Sequence, residues 1–300
     1  HINKNATMNA RQRSEYYRKV ERLRRQLDTK YYNKFKESIS KQFNNFANRI
    51  KRDGIGAAKS SLGLDLWEKE LIKIFESLYK EAAVLFGNSV YRAIKIEANR
   101  KGMTFGFNRE WTQQMMDFLM TQGFSLVSDI TSTTKKKLLS IVQKGVEEGL
   151  SVDEIVKLIK SDEQLAYLAF RATRIVRTEV MRSSNMASMM AADSHDFYVD
   201  KQWISARDNR TRRIPRDQFD HVELDGVIVK YDETFNEVSK DGIPVAAMQP
   251  GDIDAPPGFT INCRCTVAFI PRRDKNGNLL RKINNEKINY AHIRLFKRQI

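Results

Sequence analysis

Residues 9–53 contain neither proline nor glycine, and that absence constrains the fold more than any other feature of the chain. Apolar side chains recur there at Tyr16, Val20, Leu23, Leu27, Tyr31, Phe35, Ile39, Phe43, Phe46 and Ile50, in steps of three or four. Such steps lay one stripe along an α-helix, so the segment predicts a single long helix with one buried side. The other faces carry Arg11, Arg13, Arg18, Lys19, Arg22, Arg24 and Arg25. Two compatible readings follow. The stripe is a packing seam with the arginines as its wet side, and the arginine-rich first half meets DNA or a partner protein.

Gly54 to Gly63 reads as a flexible joint. Helices are then expected at about Asp65–Arg100, Arg109–Asp129 and Ser132–Glu148, with a Gly102/Gly106 turn after the first. Ser151 followed by Glu154 is a capping box, which opens a short helix over Val152–Lys160. A longer helix follows over Asp162–Ala192. From Phe197 the pattern changes to short alternating runs separated by turn residues. Strands are expected at Phe197–Ala206, Val227–Val229 and Ile261–Phe269. Pro244–Gly258 reads as an irregular loop, and Asn276-Gly277 as a turn. The fold class is therefore mainly α with a small α+β module: long N-terminal helices, then a C-terminal short-stranded β region. The linear division is 1–60 (basic long helix), 61–144 (helical), 145–270 (the α+β module) and 271–300 (basic tail).

The net charge is +15 and it is uneven. Residues 1–60 carry net +11, residues 271–300 carry net +7, and the 210 residues between them carry net −3. Basic ends on a near-neutral body point to a polyanion or an acidic protein surface. No apolar run approaches the ~20 residues of a spanning helix, so no membrane is required. Gly (14) and Pro (6) are too scarce for a collagen-like or low-complexity chain, and two Cys cannot build a disulfide scaffold. Residues 1–30 show no apolar signal core, so synthesis in a reducing cytoplasm is expected.

Four motifs occur in order in the second half. Arg177-Thr178-Glu179 lies on a helix, followed by a run of small residues. Trp203 leads to Asp208-Asn-Arg210-Thr-Arg212, His221 leads to Asp225-Gly226, and Cys263-Arg-Cys265 comes last. This ordered set resembles the phage Mu F-like head morphogenesis family, the minor head proteins of tailed phages. The Arg212–His221 spacing is longer than the family pattern, with Arg213–Asp220 inserted. The resemblance implies a non-enzymatic virion protein inside the head near the portal vertex, made in the host cytoplasm. The implied partners are the portal protein, the major capsid or scaffolding protein, and packaged double-stranded DNA, in head assembly and in packaging or ejection. Basic ends suit contact with DNA phosphates without sequence preference. The candidate DNA-contacting residues are Arg11, Arg13, Arg18, Lys19, Arg22, Arg24, Arg25, Arg272, Arg273, Arg281 and Lys282. A portal or capsid interaction protein without DNA contact is the alternative.

Two chemical readings remain. On a strand, Cys263 and Cys265 would share one face about 6.6–7 Å apart. With His221 they offer three ligands to a structural zinc, with Asp208 or His195 as a fourth. Alternatively both sulfurs are small buried apolar groups; no cofactor is then needed. A disulfide between them is strained. Asp208, Arg210, Arg212, His221 and Asp225 could instead be a nuclease-like cluster, with His221 beside a carboxylate as general base. The competing reading is a hydrogen-bonded turn network in which Asp208 caps the loop.

Overall fold

The computed structural model describes residues 7–60, 62, 65–103 and 110–282. All six prolines lie at or beyond position 215, and the described residues from Ala10 to Asp193 are mostly helical. Helix α1 spans Ala10–Ser60, α2 Asp65–Ala82, α3 Asn88–Arg100, α4 Trp111–Glu147, α5 Val152–Ile159 and α6 Asp162–Asp193. Strands β1 (Val199–Ile204), β2 (Ile228–Lys230), β3 (Phe235–Val238) and β4 (Pro244–Ala247) follow. The short α7 (Pro257–Thr260) and β5 (Thr266–Pro271) complete the order.

The expected stripe on α1 is the buried one: Leu27, Tyr31, Phe35, Ile39, Phe43, Phe46 and Ile50 are all within 2% of complete burial. The expected joint is tighter than a flexible linker. Gly54, at φ 80°, kinks the helix once, and the chain resumes helical geometry to Ser60. The expected helix at Asp65–Arg100 contains one π turn, Ala83–Gly87, between α2 and α3. A π turn disturbs the regular carbonyl ladder, and the Trp111 indole N–H donates to the Ala83 carbonyl at 3.1 Å. The two helices expected on either side of residue 131 are one. Threonine hydroxyls at the expected break bond backward within the helix, Thr131 to the Val127 carbonyl, Thr133 to Asp129 and Thr134 to Ile130. Such back-bonding spends the hydroxyls without ending the helix. The Ser151–Glu154 capping box is present in full.

The chain divides into two compact units. One comprises residues 28–78 and 117–176. Its core joins Ile39, Phe43, Phe46 and Ile50 of α1 to Leu138, Ile141 and Val142 of α4, Ile155 and Ile159 of α5, and Leu168 of α6. Burial of each such side chain stabilises by roughly 1.5–3 kcal/mol. Phe35 meets Phe75 edge-on at 5.7 Å, and Tyr31 shares a hydrogen bond with Ser77.

The other unit comprises residues 1–27, 79–116 and 177–300. It holds an antiparallel sheet in the order β2-β1-β5, with Trp203 opposite Val267 and Ile204 opposite Thr266. β1 is buried along its whole length. A separate two-stranded sheet pairs β3 with β4. The sequence reading missed this hairpin, because Pro244 and the proline-rich stretch after it mask an alternation only four residues long. The strand expected at Ile261–Phe269 begins only at Thr266. Before it Asn262 takes a left-handed conformation at φ 58°, and the Cys263 N–H closes a turn on the Thr260 carbonyl. Cys263 and Cys265 therefore lie on a turn and an irregular link, not on a strand face.

Candidate metal centre

Three buried side chains meet under the first sheet. His221 Nδ1 lies 3.4 Å from the Cys263 sulfur and 3.5 Å from the Cys265 sulfur, and the Cys265 N–H points at the Cys263 sulfur at 3.4 Å. One ligand atom from each lies within 4.8 Å of the others. The His221 ring packs edge-on to Phe259 at 4.4 Å and to Trp203 at 5.5 Å. Its Nε2 is buried with no hydrogen-bond partner among the described residues.

Each ligand is held by backbone bonds that the local sequence explains. The longer Arg212–His221 spacing closes on itself, because the His221 N–H donates to the Arg212 carbonyl at 3.1 Å. Within that closed loop Asp220 accepts from the backbone of Ile214, Val222 and Glu223. Phe219 and Asp220 of this loop are buried, and Phe219 packs edge-on to Phe259 at 5.3 Å. On the other side, Arg212 donates to the Ile261 carbonyl at 2.6 Å and Thr178 accepts from the Asn262 N–H at 2.9 Å. Arg24 donates to the carbonyls of Arg264 and Cys265, and Asn185 donates to the latter as well.

The two thiols are driven apart electrically. The hydrogen bond from Cys265, with His221 and Arg212 nearby, holds the Cys263 thiol well below its ordinary range against the opposing effect of burial. Burial and the facing Cys263 push Cys265 well above that range. The two expected fourth ligands do not join them. Asp208 is bound to Arg264 on the surface side, and that contact lowers its carboxyl to about 2. His195 accepts from the Phe197 N–H, and burial, with Lys282 beside it, lowers it to about 3.

The nuclease-like cluster is not assembled. Neither ring nitrogen of His221 bonds a carboxylate among the described residues. Asp208 caps its own loop, accepting from the Arg210 N–H and the Thr211 hydroxyl, while the exposed Arg210 guanidinium stands 4.0 Å away. Asp225, with its side chain 1% exposed, accepts from the Ser205 N–H, Arg13 and Arg207. Gly226 follows at φ 90°, a conformation that favours glycine, and a Cβ there would sit 3.2 Å from the Arg13 guanidinium. In the helical motif Arg177 is exposed, and Glu179 accepts from both Arg182 and Tyr79.

The expected DNA-contacting residues divide sharply. Arg11, Arg18, Lys19, Arg22 and Arg25 are exposed on α1. Arg13 is drawn onto Asp225, and Arg24 is 3% exposed, bonded to Ser184, Asn185 and two carbonyls. Arg24 is thus on the buried side of the helix, a correction to its reading as wet surface. In the tail, Arg272 pairs with Asp200 and Arg273 with Glu97. Arg281 lies over the Phe197 ring near Asp196, and the Lys282 ammonium is bonded to Asp193. Residues 283–300, the remainder of the expected basic tail, lie outside the described residues.

A proline-free helical front thus carries a small α+β module built round a buried Cys-x-Cys and histidine. Residues 136–268 match the model of the family described as Phage Mu protein F like protein. Over this module the chain is similar to the phage Mu F-like head morphogenesis proteins. No curated protein and no solved structure matches the chain. Among the described residues no helix is long and apolar enough to cross a membrane.

Proposed function

We propose that the chain is a minor head protein that sits inside the capsid near the portal vertex, docks on the portal or inner capsid, and holds packaged DNA by its phosphates. The observation that carries this reading, beside the family match, is the exposed ridge on α1. Arg11, Arg18, Arg22 and Arg25 fall at helical spacing, with Lys19 beside them and the buried Leu27 facing the other way. The ridge runs about 21 Å. B-DNA offers one phosphate charge per ~1.7 Å of axis, so several cations can be neutralised at once with release of counterions. No base is read in such a contact. The role is a tether and not a catalyst.

A second reading is favoured by two ion pairs. Arg11–Glu15 and Arg25–Glu21 interleave acid with the ridge, which suits an acidic protein surface as well as DNA. Quantitative mass spectrometry of purified heads, before and after packaging, tests the placement common to both. The protein is expected in both populations at a few copies per head, and in the portal-bearing fraction after mild disruption. Its absence from heads contradicts either reading.

A further inference from the structure

We propose that His221, Cys263 and Cys265 form a zinc site that staples the loop carrying His221 to the link leading into β5. The proposal rests on geometry and does not depend on DNA or portal contact. In a tetrahedral site with Zn–N at ~2.0–2.1 Å and Zn–S at ~2.3 Å, nitrogen and sulfur stand about 3.5–3.6 Å apart. The observed Nδ1–sulfur distances are 3.4 and 3.5 Å to the two sulfurs. Nδ1 thus already stands at the ligand-to-ligand edge length from both sulfurs.

Charge argues the same way. Two buried thiolates are costly on their own. A divalent cation with a neutral imidazole makes the group formally neutral, so the site can stay buried. Zinc suits this mixed nitrogen and sulfur set. The supports behind the ligands are those of a built site: Arg24 and Asn185 on the carbonyl of Cys265, Arg212 on that of Ile261, and the Arg212 carbonyl on the His221 N–H. Among the described residues no fourth His, Cys, Asp or Glu atom joins the three. A water completes the tetrahedron. Binding displaces the thiol protons to solvent, so occupancy falls as pH falls.

The test uses the full chain, purified from zinc-supplemented medium without chelator, and also refolded with cobalt(II). The expected results are about one zinc per chain and, with cobalt, the sulfur-to-metal charge-transfer absorption of a thiolate site. The Cys263→Ser/Cys265→Ser variant is expected to lose metal more than tenfold. Should that variant fail to fold, the cobalt spectrum of the unaltered chain decides alone. A folded chain that takes up no zinc, shows no charge-transfer band and has thiols reacting equally fast with and without zinc overturns the proposal.

Discussion

The first half of α1 and the tail from Arg272 to Lys282 have similar compositions and are used oppositely. Both are rich in arginine and lysine, and both read in the sequence as polyanion-binding surface. In the structure α1 keeps five cations in solvent, whereas the tail turns its cations onto Asp200, Glu97, Asp196 and Asp193. The difference lies in what each segment packs beside. An isolated helix face spaces its charges away from the core, while a strand edge folding back over the module passes acids from several elements. Net charge reports how many cations a segment holds, and only packing decides how many are available to a partner.

Substitutions can break or sharpen this contrast. The largest effect is expected at Arg24, which is buried at 3% exposure on α1. Arg24→Met removes one donor each from Ser184, Asn185 and the carbonyls of Arg264 and Cys265, and should cost about 3–5 kcal/mol in urea unfolding. Arg22→Met, two residues away on the ridge, should leave the unfolding midpoint unmoved. Next comes Lys282→Met. It removes the ammonium that pairs with the buried Asp193 carboxylate, with an expected loss of about 3 kcal/mol. It also removes a cation beside His195, so the His195 pKa should rise from about 3, read by the pH titration of its ring proton resonances.

The pH dependence is smaller and has a defined sign. His195 is lowered from 6.5 to about 3 in the folded state. Below pH 6.5 the unfolded chain therefore binds a proton that the folded chain refuses. Stability is lost as pH falls from about 6.5 towards 3, with a limiting slope of ~1.4 kcal/mol per pH unit. His195→Gln should flatten that part of the curve. Asp208, lowered to about 2 by Arg264, contributes stability that is complete above its unfolded value of 3.8 and disappears as pH falls through 2. The surface exposure of that pair makes its effect the smallest. An Asp208→Asn variant should differ from the parent only at neutral pH, and converge with it in strong acid.

Much of this was legible in the sequence, for identifiable reasons. A stripe that repeats for about nine turns overrides local noise, so the buried side of α1 was readable from Leu27 to Ile50. The capping box at Ser151 is a local device and was equally plain. The break expected after Asp129 failed because threonine hydroxyls can bond backward within a helix as readily as they cap one. Arg24 failed for a different reason. Its burial depends on Ser184, Asn185 and the carbonyls of 264 and 265, partners some 160–240 positions away, and no periodicity encodes them. The alternation over 261–269 suggested a strand face for the two cysteines. Asn262 in a left-handed conformation ends the alternation there, yet the sulfurs still converge, since His221 sets the meeting point and not the strand pleat.

The contrast between the two cationic segments is tested most directly by binding of the full chain to random-sequence double-stranded DNA over a range of salt concentrations. Neutralisation of four or five phosphates by the α1 ridge predicts a log–log slope of about −4. The Arg18→Glu/Arg22→Glu/Arg25→Glu variant should bring that slope close to zero with its unfolding midpoint unchanged. A slope that survives the reversal, or no binding at low salt in the unaltered chain, contradicts the assignment of α1 as the phosphate-holding segment.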